Sequence, residues 1–344
     1  MNKWLAIPDS TKEQIYIQIS EKTGMAPFAV EKDWWVTQTL ALIFEMEVGK
    51  HLVFKGGTSL SKAFKLIERF SEDVDLAIDR SFLGFGENLS NSKRTELRKK
   101  AGEYTTGPFL EELKVKFAEK GLDEVKFKVV PVIDSDQDPR IIEIYYPNVI
   151  PAPGYLEPRV QIEVGCRSLK EPFSMQTFGS LVDEYYPEQD FAFPLITIPC
   201  VNPERTFLEK IFLLHEEFRR PLEKIRVNRL SRHLYDVVKL SQSQYAEKAF
   251  ENEELYTTIV EHRHKYTRVS GVDYNEHHPK TINPIPVPEK IADWEADYKT
   301  MLEEMIYEEV PPSFQNIMEE LEKLKEKINV LDWKIAFEFP VNNK

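Results

Sequence analysis

The sequence predicts an α+β fold, a mixed-sheet core followed by a mainly helical C-terminal domain, on three observations. Residues 52–78 read as strand, glycine turn, helix, strand. Further short segments alternate apolar and polar residues with the period of half-buried strands. Beyond Arg205 the apolar spacing becomes almost wholly helical. A chain of 344 residues exceeds what a single core usually organises. Pro-rich text at 151–158 and again at 187–203 marks the change of character, so we expect domains at 1–200 and 201–344.

Element by element, EKDWWVTQTLALIFE (31–45) carries Trp35, Leu40, Ile43 and Phe44 at helical spacing and predicts an amphipathic helix. His51 to Phe54 reads as a strand running into the Gly56-Gly57 turn. Thr58 can then cap a helix through about Arg69, with Leu60, Ala63, Phe64 and Ile67 on one side. Val74 to Ile78 resumes a strand. Residues 93–120 form a charged helical stretch, and 125–133, 141–146 and 160–164 alternate as strands. In the second half, 204–218, 231–241, 245–264, 291–309 and 312–328 read as helices, with the basic connector RRPLEKIRVNR between the first two. No internal repeat is evident.

Composition excludes several functional classes. Apolar residues make up 42% of the chain, enough for a packed core and against disorder as the default. A net charge of -13 disfavours general adhesion to nucleic acid or anionic membranes. Cys166 and Cys200 are too few for a disulfide scaffold or a cysteine zinc site, so a reducing cytoplasm is the expected compartment. The N-terminal text lacks the apolar core of a signal peptide, and no later run approaches the roughly 18 residues that span a bilayer. We therefore expect a soluble protein with no membrane partner.

The chemistry concentrates in Glu72-Asp73-Val74-Asp75-Leu76. In a strand, i and i+2 face one side, so Asp73 and Asp75 present paired carboxylates while Val74 and Leu76 face the core. Their mutual repulsion is relieved most directly by a divalent cation, Mg²⁺ or Mn²⁺, which also takes phosphate oxygens. By itself an Asp-x-Asp pair is common in solvated turns. Gly56-Gly57-Thr58-Ser59, however, opens the preceding helix, where free amides and the helix dipole favour phosphate. Taken alone, those glycines read equally well as a tight turn with an ordinary helix cap.

Strand–glycine turn–helix–Asp strand resembles the start of the polymerase-beta-type nucleotidyltransferase fold. More closely, FKGGTSLSKAFKLIERFSEDVDLAI (54–78) resembles the first motif of the AbiEii/AbiGii toxin family of nucleotidyltransferases. Glu31-Lys32-Asp33 resembles that family's N-terminal segment, Thr206-Phe207-Leu208-Glu209-Lys210-Ile211 its lysine motif, and Arg232 to Leu240 its arginine-to-aspartate helix. The resemblance implies Asp73 and Asp75 as metal ligands, and Gly56, Gly57, Thr58 and Ser59 as the phosphate-binding turn. Ser71 would lie near the nucleotide, Lys210 would bind triphosphate and Asp236 would be an essential carboxylate. The family often places Asp directly after the motif's Arg, whereas His233 follows Arg232 here. It further implies a nucleoside triphosphate substrate, RNA and particularly the tRNA 3′ end as acceptor, and an antitoxin partner. Two other classes stand beside it: a non-catalytic nucleotide-binding or interaction module, and a kinase-like phosphotransferase acting on a protein.

Other candidates are weighed against bland readings. Glu163 interrupts an alternating apolar strand and is the best third carboxylate, as general base or member of a two-metal cluster, against an exposed strand residue. Asp134, Asp136 and Asp138 lack the glycine and Glu of a calcium loop and read as a solvated turn. His262, His264, His277 and His278 read as solvated or capping residues rather than zinc ligands. The connector's Arg219, Arg220, Lys224, Arg226 and Arg229, with Arg232, read more often as a solvated face than as a path for RNA. Of Trp34 and Trp35 we expect one ring buried and one partly exposed.

Overall fold

A computed structural model describes residues 3–152, 157–167 and 172–340. The middle of the Pro-rich 151–158 segment lies outside the described residues. The chain divides into two compact units, Met1–Lys65 with Phe70–Val201, and Leu66–Arg69 with Asn202–Lys344.

The first unit is built on a mixed sheet. Among the described residues its strands are β1 (Leu52–Lys55), β2 (Asp73–Ile78), β3 (Lys126–Val129), β4 (Arg140–Tyr145), β5 (Arg159–Gly165), β6 (Phe173–Phe178) and β7 (Ile196–Val201). They lie in the order β3-β4-β5-β2-β1-β7-β6. The β2–β5 and β1–β7 pairs are parallel and the others antiparallel. One face is apolar: Phe54, Val74, Leu76, Ile142, Ile144, Ile162 and Val164 are all buried in a single core with Trp34, Leu40 and Ile43 of the helix Pro27–Glu45. Period-2 alternation therefore sends Lys55, Asp73, Asp75, Gln161 and Glu163 to the opposite face, where each is half-buried. This α+β architecture is the expected one.

Several local expectations need correction. The helix expected from Thr58 to Arg69 begins at Gly56, runs into a π-helical turn over Ser59–Ala63 and stops. Lys65, at φ 52°, takes the left-handed conformation that terminates it. Thr58 caps nothing; its buried hydroxyl donates instead to the Asp73 carbonyl at 2.6 Å. Strand 125–133 shortens to β3, leaving Ile133 exposed. The helix expected over 245–264 is two, Gln244–Phe250 and Glu253–Tyr266. The N-terminal helix Asp9–Thr23 and strands β6 and β7 add elements that the sequence reading lacked.

Both Trp34 and Trp35 are buried, the second ring stacked on Tyr146 at 4.9 Å. His262 and His277 are buried too, each stacked on a tyrosine, Tyr266 and Tyr274, rather than solvated. His278 does cap, accepting from the Lys280 amide. Asp138 is not part of a solvated turn: it accepts from the Cys166 amide and pairs with Arg167, while Asp136 pairs with Arg98. In the basic connector, Arg220 and Arg226 pair with buried Glu217, and Arg219 with Glu276. Among the described residues no helix is long and apolar enough to cross a membrane.

Candidate active site

The glycine turn and the aspartate strand meet. Gly56 follows β1 at φ +80°, a conformation that favours glycine, and a Cβ built there would lie 1.9 Å from Asp75 Oδ2. Asp75 thus lies directly over the turn, in space that only a missing side chain leaves open. Thr58 ties the same turn to the head of the strand through the Asp73 carbonyl and stands 3.0 Å from the Ser71 hydroxyl. Ser59 donates to the Gly56 carbonyl at 3.0 Å. Both hydroxyls are buried and shape the turn, so the groups left to meet phosphate directly are backbone amides of the turn.

Glu163 stands in register with Asp75 on the parallel neighbour β5, and Gln161 with Asp73. The sheet therefore lines up three carboxylates, two along one strand and one across. Lys55 faces Asp75 from β1. The donor set suits a hard divalent ion, since oxygen ligands from two carboxylates leave the remaining positions to water and phosphate. Among the described residues, no three or more His, Cys, Asp or Glu side chains gather in the geometry of a metal cage.

Buried charges hold the head of β2, the glycine-turn helix and neighbouring loops. Lys32 pairs with Glu72, the residue before Asp73, and also donates to the Glu157 carbonyl at 3.2 Å. Burial pulls the Lys32 ammonium below its ordinary pKa, and Glu72 opposes that pull. Asp33 pairs with Lys62 of the glycine-turn helix and accepts from the Leu181 amide at 2.7 Å. Glu31 accepts from the amides of Val149 and Ile150, and its burial pushes the carboxyl up to about 7 despite those bonds. The Glu31-Lys32-Asp33 segment is thus a three-way clamp whose members hold different neighbours. The sequence alone assigns that motif no role.

Lys210 and Asp236 belong to the second unit. Lys210 projects from the helix Pro203–Phe218 and reaches Asp236 of the helix Ser231–Ser241 at 2.9 Å. Arg69 grips the same carboxylate with two hydrogen bonds of 2.6 and 2.7 Å. Asp236 is fully buried; burial opposes its ionisation, but the Arg69 and Lys210 charges hold it far below the usual carboxylate range. His233, in the position after the motif's arginine, lies 3.3 Å from Lys210 Nζ. Burial, with Lys210 and Arg232 nearby, keeps it neutral. Sequence reasoning missed Arg69, which its helical reading of 58–69 gives only as the end of the helix.

The model of the family "Nucleotidyl transferase AbiEii toxin, Type IV TA system" matches residues 40–320. Among solved structures, JHP933 from Helicobacter pylori shares 12% identity at a TM-score of 0.40, covering 86% of this chain and 89% of that one. A second H. pylori structure, of a candidate nucleotidyltransferase, shares 12% identity at a TM-score of 0.39, covering 86% of this chain and 93% of the other. Both likenesses are too distant to inform the chemistry. No curated protein matches the chain. The family match takes in the glycine turn, both aspartates, Glu163, Lys210 and Asp236, so the chain belongs to the AbiEii nucleotidyl transferase toxins of type IV toxin–antitoxin systems and is a nucleotidyltransferase.

Proposed function

We propose that this nucleotidyltransferase transfers a nucleoside monophosphate from a nucleoside triphosphate to RNA, the tRNA 3′ end foremost, on a site formed by Gly56, Gly57, Asp73, Asp75 and Glu163. The observation that carries this reading is the carboxylate of Asp75 lying over Gly56, with no room between them for a side chain. A triphosphate resting on the turn's amides would have its phosphates beside the carboxylate pair. Asp73 and Asp75 would hold a divalent cation, Mg²⁺ or Mn²⁺, which when bound neutralises phosphate charge.

Glu163 acts as the general base. The acceptor hydroxyl gives its proton to that carboxylate, its oxygen bonds to the α-phosphorus, and the bond from that phosphorus to the bridging oxygen breaks, releasing pyrophosphate. Thr58, Ser59 and Ser71 shape the turn and the strand head. Lys210 is the nucleotide-binding cation of the second unit, and Asp236 holds that lysine in place. A cognate antitoxin is the regulatory partner.

Incubation with each nucleoside triphosphate labelled at the α or the γ phosphate, with Mg²⁺ or Mn²⁺ and total tRNA, tests the reading. Label transferred to RNA from the α position and not the γ position is expected, and it should vanish in Asp75→Ala. Transfer from the γ position to protein would replace nucleotidyl transfer by kinase-like chemistry. Nucleotide binding indifferent to Asp73→Asn and to the metal, with no transfer at all, would leave a binding module.

A further inference from the structure

Gln161 has no part in the transfer described so far, yet its neighbours give its amide a fixed direction. It stands in register with Asp73 and, two residues before Glu163 on β5, on the face that carries all three carboxylates. Its Oε1 accepts from Arg159 Nη1 at 2.6 Å, and its Nε2 donates to Glu163 Oε1 at 2.9 Å. The direction is chemically forced. A guanidinium only donates, so the amide must turn its oxygen to Arg159 and its N–H to Glu163.

Arg159 is itself anchored. It donates to Glu157 at 2.7 Å and pairs with Glu143 at 3.3 Å, and Glu143 is bound in turn by Lys128 and Tyr145, each at 3.0 Å. Burial pushes the Glu143 carboxyl up, but the bonds from Lys128 and Tyr145 and the Arg159 charge hold it below its ordinary value, so it stays a charged anchor. Arg159, Gln161 and Glu163, at i, i+2 and i+4 of one strand, form a directed chain of hydrogen bonds that ends on a carboxylate. A charged donor behind the amide strengthens the bond it gives to Glu163 and so fixes the direction of that carboxylate.

We propose that Gln161, oriented by Arg159, is a positioning residue for nucleotidyl transfer: its amide aims the Glu163 carboxylate at the acceptor's hydroxyl. The proposal rests on Glu163 being the general base. It also makes Glu163 more than a lone acid on a strand, since its orientation is set from within β5.

The test compares Gln161→Leu, Gln161→Glu, Glu163→Gln and the double variant Gln161→Leu/Glu163→Gln, using the α-labelled triphosphate that transfers fastest to total tRNA. Gln161→Glu still accepts from Arg159 but cannot donate to Glu163. In both Gln161 variants kcat should fall about 10- to 100-fold with KM for the triphosphate held within about threefold. In ¹³C-glutamate-labelled protein without nucleotide, the carboxyl signal that Glu163→Gln removes should change its chemical shift in Gln161→Leu. The double variant should be no slower than Glu163→Gln. If Gln161→Leu keeps its rate while Glu163→Gln is inactive, Gln161 positions nothing and the role of Glu163 stands. An equal loss from Gln161→Leu in both backgrounds makes the residue merely structural and overturns the proposal. A Glu163→Gln enzyme with wild-type rate removes the general base, and the proposal with it.

Discussion

Asp75 and Asp236 are carboxylates from two motifs of one family, and they live in opposite surroundings. Asp75 is half-buried on the polar face of the sheet, over a glycine turn, beside Asp73 and in register with Glu163. Asp236 is fully buried among helices, and Arg69 and Lys210 neutralise it twice over. The first sits in a concentration of negative charge that calls for an external cation. The second has its cations built in, and its contribution is to hold Lys210. Glu31 makes a third case, equally buried but satisfied by backbone amides, and its carboxyl drifts upward where that of Asp236 is driven down. The charge of a buried acid is thus decided by the donors that fold against it, not by its residue type.

Substitutions can break this comparison. The largest effect on folding is expected from Asp236→Ala, which takes from buried Arg69 and Lys210 the carboxylate they share, at a cost of about 3–5 kcal/mol. Chemical denaturation should show the second unit losing cooperativity, and a variant as stable as wild type would refute the neutralised-pair account. Asp75→Ala should do the reverse. Transfer should fall about 10³-fold by loss of electrostatic stabilisation, while relief of carboxylate repulsion leaves the melting temperature unchanged or higher.

Gly56→Ala sharpens the contrast further. The new methyl would meet the Asp75 carboxylate and force an unfavourable φ, so a displacement of about 1 Å and a loss of about 10²-fold in kcat are expected with modest destabilisation. Wild-type kinetics for this variant would mean that the carboxylate and the turn do not cooperate.

The smallest effect is the pH dependence from Glu31. Its carboxyl rises from 4.5 to about 7 in the folded protein, so the folded state binds the proton more tightly. The stability it contributes is fully present below pH 4.5 and is lost as pH rises through about 7. The slope is at most about 1.4 kcal/mol per pH unit. Denaturation midpoints measured across that window should flatten in Glu31→Gln.

The parts legible in sequence were those whose chemistry is local. Asp73 and Asp75 share a face because a strand repeats every two residues, and Gly56-Gly57 announces a turn by its own conformational freedom. Strand β7 escaped because Pro199 interrupts it and argues against a strand, and its pairing with β1 registers at Phe54 and Cys200. The helix after Gly56 was overextended because Leu60, Ala63, Phe64 and Ile67 keep helical spacing past the point where Lys65 turns left-handed. Ile67 is buried all the same, with the segment Leu66–Arg69 of the second unit.

By itself the sequence determined an α+β chain with an Asp-x-Asp strand after a glycine turn, and a set of motifs that identifies the family. Only the tertiary structure decided which distant residues join them: Glu163 beside Asp75, Gln161 beside Asp73, Arg69 and Lys210 on Asp236, and Lys32 on Glu72. The reason is physical. Periodicity within one element is written in neighbouring residues, whereas strand register and the pairing of buried charges depend on which elements pack together, and that is settled by the whole core.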